Sequence, residues 1–251
     1  MKIGATLKAV ITGMNGAVAP QVAKFFTSKG IEVVSFDRSI IDINDEKAIA
    51  KFLADEKPNY FLHIATGPAQ WAETNARLCR ESDIHFLFTS TVSVFSEQSS
   101  GPYTIESTPN AEDDYGKYKR ECESKVTAVN PDALIARLGW QIGHQAGSNN
   151  MFDYLERTMN DNGFIEASDT WYPSCSFMED TAAALFDLVT TSASGLYLLN
   201  SNKRSSFYEI VNGINEELNR WQVKKGSSPN RDDRMFDDRV TIQSIEEKLG
   251  L

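Results

Sequence analysis

The sequence predicts an α/β fold: a doubly wound parallel sheet with a small C-terminal lobe. Three observations predict it. Short apolar runs rich in β-branched residues alternate with stretches of helical period. A glycine-containing turn joins the first run to the first helix, and an acid closes the second run. Such alternation produces βαβ units with right-handed crossovers.

The first strand is expected at Leu7–Thr12; Gly13–Gly16 then turns the chain into a helix that reaches Phe26 and is closed by Gly30. Ile31–Phe36 is the second strand. Asp45 opens a helix over Glu46–Asp55, which Pro58 ends. Tyr60–Ala65 and Ile84–Thr89 read as buried strands with a helix, Gln70–Glu81, between them. Ser96–Asp113, with Gly101, Pro102 and Pro109, is a loop. A helix over Tyr115–Val129 stops before Pro131, and Ala133–Arg137 is a further strand. The alternation then loosens. Gly139, Gly143 and Gly147 punctuate a loop, and helical stretches follow at Asp180–Thr191, Ser206–Trp221 and Gln243–Leu249. Ser206 and Glu209 have capping-box spacing.

Length and composition bound the function. The 251 residues suit one large domain, with 41% hydrophobic and 24% charged residues, as in ordinary globular chains. A net charge of −10 argues against nucleic acid or an anionic membrane as partner, because both reward clustered Lys and Arg. Cys79, Cys122 and Cys175 are widely separated, which fits free thiols in a reducing compartment and no metal site. The start, Leu7 to Ala19, contains Lys8 and turn residues, unlike a signal peptide, and runs such as Ala182–Phe186 are too short to span a membrane. A soluble cytoplasmic protein is expected. His63 reads as a core or strand-end histidine, His85 and His144 lack metal spacing, and Arg231–Arg239 reads as solvated surface.

The first βα turn carries the first chemistry. Gly13 allows the tight turn, Gly16 lets backbone amides approach a pyrophosphate at the helix N-terminus, and Ala19 is small enough for close helix–strand packing. Asp37 lies 24 residues past Gly13, near the ~20-residue separation expected of a ribose-binding carboxylate. Asp37 favours the 2′-hydroxyl of NAD, whereas Arg38 can hold the 2′-phosphate of NADP, so NAD or NADP stays open. Asp42 is placed either near the adenine or on a plain loop. Roughly residues 1–140 form the dinucleotide-binding core, and roughly 141–251 are mostly a substrate-covering lobe.

Tyr115 and Lys119 are four positions apart on a helix and share one face. Thr91 follows the Ile84–Thr89 strand at a carboxyl end, where open α/β sheets place ligands. A phenol has a pKa of ~10, and bringing it near neutrality requires ~4 kcal/mol of differential stabilisation, which an adjacent ammonium can supply. Tyr115 is then expected to protonate a carbonyl oxygen as hydride reaches its carbon, with Lys119 tuning it and Thr91 orienting the oxygen. Tyr118 is a rival phenol directed to another face, and Ser90 and Ser93 are rival hydroxyls, of which Ser93 shares the direction of Thr91.

At this point the chain resembles the extended short-chain dehydrogenase/reductase superfamily and, within it, the dTDP-4-dehydrorhamnose reductase (sugar-nucleotide reductase) family. The matching pieces begin with Thr12-Gly13-x-x-Gly16-x-x-Ala19, Asp37 and Asp42-Ile43. Ser90-Thr91-x-x-Val94-Phe95, Pro102-Tyr103-x-x-Glu106 and Tyr115-Gly116-x-x-Lys119-x-x-x-Glu123 follow. Arg137-x-x-Trp140-x-x-Gly143, Tyr172-Pro173, Glu179-Asp180, Gly195-Leu196-Tyr197 and Ser206-Phe207-Tyr208-Glu209 complete the set. The resemblance implies a Rossmann-type fold, a nicotinamide cofactor, a nucleotide-sugar substrate and Thr91, Tyr115 and Lys119 as catalytic residues. Among cofactor contacts it implies Gly13, Asn15, Gly16, Ala17, Asp37, Arg38, Asp42, Ala65, Thr66, Tyr115 and Lys119. A homodimer is among the assemblies it allows. Three departures stand out: Ala19 replaces the third glycine, Val92 and Ser93 stand where the family has Asp and Tyr, and Thr66–Asn75 is a shorter segment. The function expected is reduction of a keto group on a nucleotide-linked sugar. The alternatives are a nucleotide-sugar epimerase that retains its NAD, and a non-catalytic regulatory subunit like that of methionine adenosyltransferase.

Overall fold

The computed structural model describes residues 6–98, 100–145 and 149–251. Its first part alternates strands and helices: β1 (Lys8–Thr12), α1 (Val18–Ser28), β2 (Glu32–Phe36), α2 (Glu46–Glu56), β3 (Tyr60–His63), α3 (Ala69–Glu81), β4 (His85–Thr91), α4 (Asp114–Val129) and β5 (Leu134–Leu138). A single 3-10 turn, Val92–Val94, follows β4. The second part comprises β6 (Trp140–Ile142), α5 (Met151–Asn162), β7 (Ile165–Ser168), β8 (Trp171–Tyr172), β9 (Cys175–Phe177) and α6 (Met178–Thr191). It ends with β10 (Gly195–Leu199), α7 (Phe207–Leu218), β11 (Val223–Gly226), β12 (Arg231–Asp232) and α8 (Ile245–Leu249).

Six strands form one sheet in the order β10-β5-β4-β3-β1-β2, and every pairing is parallel. From β1 the chain winds outward to β2, then returns to the other side of β1 as β3. The winding therefore reverses between β1 and β3, which opens a crevice outside their carboxyl ends.

Side-chain alternation splits the core into two layers. Ala9, Ile11, Leu62 and Leu87 face α1 and α6, where Phe26 and Leu185 are fully buried. Val10, Phe61, Phe86 and Phe88 face α2, α3 and α4, against Ile49, Trp71 and Cys122. Burial on both faces is why these strands read as continuous apolar runs, and each large side chain so buried contributes about 1.5–3 kcal/mol. His63 belongs to the second layer. Its ring stands 4.5 Å from that of Trp71, its Nδ1 meets the Asn75 amide at 3.2 Å, and burial pushes its pKa down to about 3. It is a neutral core histidine, as expected.

A third cluster, centred on Phe152, Leu155, Ile165, Phe207 and Ile210, forms the core of the lobe. The lobe carries three parallel strand pairs, β6–β9, β7–β11 and β8–β12.

Several boundaries differ from expectation. β4 extends two residues further, through Thr91, because Thr91 pairs with Leu138 of β5. β5 itself is shifted one residue toward the C-terminus. α3 begins at Ala69; α4 begins at Asp114, where Asp113 accepts the Gly116 amide; α6 begins at Met178. α7 stops at Leu218, not Trp221, because Asn219 turns left-handed and the Asn215 side chain accepts the Arg220 and Trp221 amides. The Ser206–Glu209 capping box is present. Residues 140–142 form β6 inside the expected glycine loop, and Gly147 lies outside the described residues. The sequence reading also missed α5 and β10, the sixth strand of the sheet.

Arg231–Arg239 is not a solvated face. Met235 is buried, and the amides of Gly101 and Tyr103 donate to the carbonyls of Asp232 and Arg234. Arg231 pairs with Asp233 at 2.8 Å, and Asp233 accepts the Trp171 indole N–H at 2.7 Å. The alternating charges neutralise one another, so the segment crosses the molecule as a half-buried strap.

Candidate active site

At the winding reversal, Thr12 Oγ1 accepts the amides of Ile64 and Ala65 at 2.9 and 3.0 Å, which joins the carboxyl ends of β1 and β3. Gly13 follows with φ +86°, and a Cβ there would lie 3.0 Å from the Ala65 nitrogen. Only glycine serves at that point. The Gly16 amide donates to the Gly13 carbonyl at 2.8 Å, and α1 begins at Val18 without a side-chain cap. Gly13–Ala19 thus line a cleft with uncapped first-turn amides, a setting that suits an anionic group.

Asp37, just past β2, accepts both the amide and the hydroxyl of Ser39 on Oδ1, at 2.8 and 2.7 Å. Those bonds hold its carboxyl below the usual carboxylate range. Arg38 donates to the Thr66 carbonyl at 3.2 Å. Asp42 turns its carboxylate back to the amide and side chain of Asn44, at 2.9 and 3.1 Å, and does not line the cleft. The Asx turn that leads into α2 accounts for that orientation.

At the end of β4, Thr91 Oγ1 accepts the Ser93 amide at 3.1 Å and donates to Ser93 Oγ at 3.3 Å, so these two hydroxyls share one direction. Ser90 is buried at 4% exposure and also lines the cleft. Tyr115, in the first turn of α4, is 46% exposed. Partial burial holds its phenol above the ordinary value, and a hydrogen bond with Thr91 pulls it back. Lys119, one turn on, is 3% exposed and donates to the Thr89 carbonyl at 2.8 Å, with its ammonium 4.7 Å from the centre of the Phe88 ring. Burial lowers its pKa to about 8.

This arrangement corrects one expectation. The phenol is not depressed by the lysine. Burial raises the Tyr115 phenol against the opposing Thr91 hydrogen bond, and the Lys119 ammonium donates to the Thr89 carbonyl of the strand beneath it. Tyr118 accepts the Gly67 amide at 3.1 Å and does not line the cleft.

Every expected site residue except Asp42 lines one cleft of about 1140 Å³. The strand order β2-β1-β3-β4 sets their sequence along its floor: Asp37, then Gly13, then Ala65 and Thr66, then Thr91. Three strand spacings cover roughly 14 Å. Leu138, Gly139, Trp140 and Gln141 form a further wall that the sequence reading did not assign. The pairing of Leu138 with Thr91 puts them there. Beneath the site, Arg137 makes two bonds to Glu123, at 2.9 and 2.7 Å, and so fastens α4 to β5.

The sequence profile of the family described as "RmlD substrate binding domain" matches residues 7–70 and 67–234. The chain belongs to that family.

Among its relatives, the dTDP-4-dehydrorhamnose reductase of Mycolicibacterium smegmatis is 27% identical over 199 residues, covering 72% of this chain and 59% of that protein. The dTDP-4-keto-6-deoxy-D-glucose reductase of Streptomyces niveus is 22% identical over 219 residues, covering 80% of this chain and 75% of that protein. In three dimensions the chain is similar to the dTDP-4-dehydrorhamnose reductase of Bacillus anthracis in complex with NADP. The TM-score is 0.83, the identity 18%, and the match covers 98% of each chain. These matches identify an RmlD-family chain with a Rossmann-type fold. No helix among the described residues is long and apolar enough to cross a membrane.

Proposed function

We propose that this RmlD-family chain is an NAD(P)-dependent reductase of a keto group on a nucleotide-linked sugar, with Tyr115 as proton donor. One observation carries the reading: a single cleft spans the Gly13–Gly16 turn, Asp37 and the Thr91, Tyr115 and Lys119 cluster. Its volume exceeds the roughly 300–1,000 Å³ of ordinary small-molecule clefts, which leaves room for two ligands. The reductase names of the relatives and the NADP complex of the Bacillus anthracis protein support the same reading.

The residues fit a dinucleotide. The close approach at Gly13 and the uncapped first turn of α1 suit a pyrophosphate, and Asp37 suits an adenosine ribose. When bound, the reduced cofactor supplies the hydride. Tyr115 holds its proton at neutral pH because burial keeps its pKa high, so it can donate to the carbonyl oxygen as negative charge develops there. Thr91, oriented through Ser93, provides a second hydroxyl for that oxygen. Lys119, with a pKa near 8, is an adjacent proton source for the phenolate left behind.

The test follows NAD(P)H oxidation with dTDP-linked and other nucleotide-linked keto-sugars, comparing Tyr115→Phe with the unaltered protein. Turnover should fall about 100-fold or more while nucleotide binding persists. Equal turnover in the variant removes Tyr115 from the chemistry. Oxidised cofactor retained through purification, with no net oxidation, points instead to an epimerase.

A further inference from the structure

We propose that a side pocket at the reactive end of the cleft receives an acylamino group of the sugar, which makes the preferred substrate a nucleotide-linked keto-sugar with an N-acylated amine on its ring. The inference rests on the reductase reading above and narrows the substrate of that same site.

A second cavity, of about 110 Å³, opens beside the cleft. Val92 and Ser93 line both, so the two spaces meet at the hydroxyl that Thr91 contacts. The side pocket therefore lies one side chain from the place where Thr91 would meet the carbonyl. Serine stands here in place of the family's tyrosine, which keeps the shared wall low. At roughly 30 Å³ for each water-sized group, the volume takes about four non-hydrogen atoms. A nitrogen, a carbonyl carbon, its oxygen and a methyl make up that number.

The lining selects the chemistry. Phe95, stacked face to face on Tyr103 at 3.8 Å, forms an apolar side with Val92. Arg231 enters from the strap. Its Nε meets Asp233 at 2.8 Å and its Nη1 meets Glu97 at 3.3 Å, which leaves Nη2 with no bond among the described residues. Asp113 accepts the Gly116 amide on Oδ1, and its Oδ2 has no bond among the described residues. A donor, an acceptor and an apolar side are the complements of a secondary amide: its oxygen, its N–H and its methyl.

Other substituents meet only part of this set. A carboxylate finds a guanidinium already countered by two acids and is repelled by Asp113. An ammonium finds one unpaired acid and leaves the donor and the apolar side unused. A methyl alone buries polar groups without satisfying them, and a hydroxyl leaves most of the volume to water. The walls are also held before anything binds. Arg231 lies over the Trp171 ring at 5.2 Å, and the Trp171 indole donates to Asp233 at 2.7 Å, so binding requires little further ordering.

The experiment measures NAD(P)H oxidation by the full chain with UDP- and dTDP-linked 4-keto-6-deoxyhexoses that differ in one group, a hydroxyl, a free amine or an acetamido group, at C2 or at C3. At one of these positions the acetamido sugar should exceed both others in kcat/KM by about tenfold or more. Val92→Phe, which fills the pocket, and Arg231→Met, which removes the donor, should each lower the acetamido-to-hydroxyl ratio by about tenfold. A badly folded variant loses turnover of both sugars together, and thermal midpoints identify it; where one variant fails to fold, the other decides. Equal use of the three sugars, a preference for the hydroxyl or the amine, or a ratio unmoved in a folded variant overturns this inference and leaves the reductase reading standing. Turnover of no keto-sugar overturns both.

Discussion

Tyr118 accepts the Gly67 amide at 3.1 Å, and that bond separates two phenols placed three residues apart on α4. Gly67 has to be glycine, since a Cβ there would sit 2.6 Å from the Trp71 ring. The turn after β3 thereby holds Tyr118 away from the cleft and leaves Tyr115 as its only phenol among the lining residues.

The two tyrosines should accordingly behave differently. Tyr118→Phe orphans one amide and should cost about 1 kcal/mol of stability, while turnover of a keto-sugar stays within a few-fold. Tyr115→Phe should do the reverse. Parallel steady-state assays and urea titrations check this; a large turnover loss in Tyr118→Phe would exchange the two roles.

Lys119 predicts a rise of stability with pH. Its folded pKa is near 8, below the 10.5 of an exposed lysine. Between those values the unfolded chain still binds the proton that the folded chain has released. Unfolding free energy should therefore increase from pH 8 toward 10.5, by up to roughly 1.4 kcal/mol per pH unit from this group. Below pH 8 the buried ammonium is a constant penalty. The difference between the unaltered protein and Lys119→Met isolates the effect, and a difference independent of pH across this window would refute it.

The Arg137–Glu123 pair should be costly to break and cheap to replace whole. Both side chains are largely buried, at 4% and 13% exposure. Glu123→Ala leaves a guanidinium without its partner and should cost about 3–5 kcal/mol. The double replacement Glu123→Leu with Arg137→Met should recover much of that loss. Denaturant midpoints of the three proteins decide it, and equal destabilisation of single and double variants would mean the two residues are not coupled.

Two glycines with similar backbones should separate conformational cost from site disruption. Gly13 and Gly30 have φ +86° and +79°, but a Cβ at Gly30 meets nothing within 4 Å. Gly30→Ala should cost about 1 kcal/mol and leave nucleotide binding intact. Gly13→Ala meets the Ala65 backbone as well and should abolish binding. Retained nucleotide affinity in Gly13→Ala would show that the close approach at β3 is unnecessary.

Legibility in the sequence followed the kind of signal each residue carries. Gly13, Asp37, Tyr115 and Lys119 could be picked out because their chemistry and spacing are local. Leu138–Gln141 carry no such chemistry, and only the register of β5 against β4 brings them to the cleft. β10 escaped notice because four apolar residues after a glycine have no period that distinguishes a buried strand. The strap at Arg231–Arg239 was misread because a run of charges looks solvated unless its internal pairings are known.

The sequence by itself determined the alternation of strands and helices, the glycine turn and the one-turn spacing of Tyr115 and Lys119, because these depend on contacts between near neighbours in the chain. Tertiary structure decided which acid reaches the cleft, which tyrosine faces it and how the lysine is held. Those outcomes depend on partners far away in sequence: Gly67 holds Tyr118, Thr66 holds Arg38 and Thr89 holds Lys119. A hydrogen bond to a distant backbone group directs a side chain, and residue spacing along the chain contains no record of it.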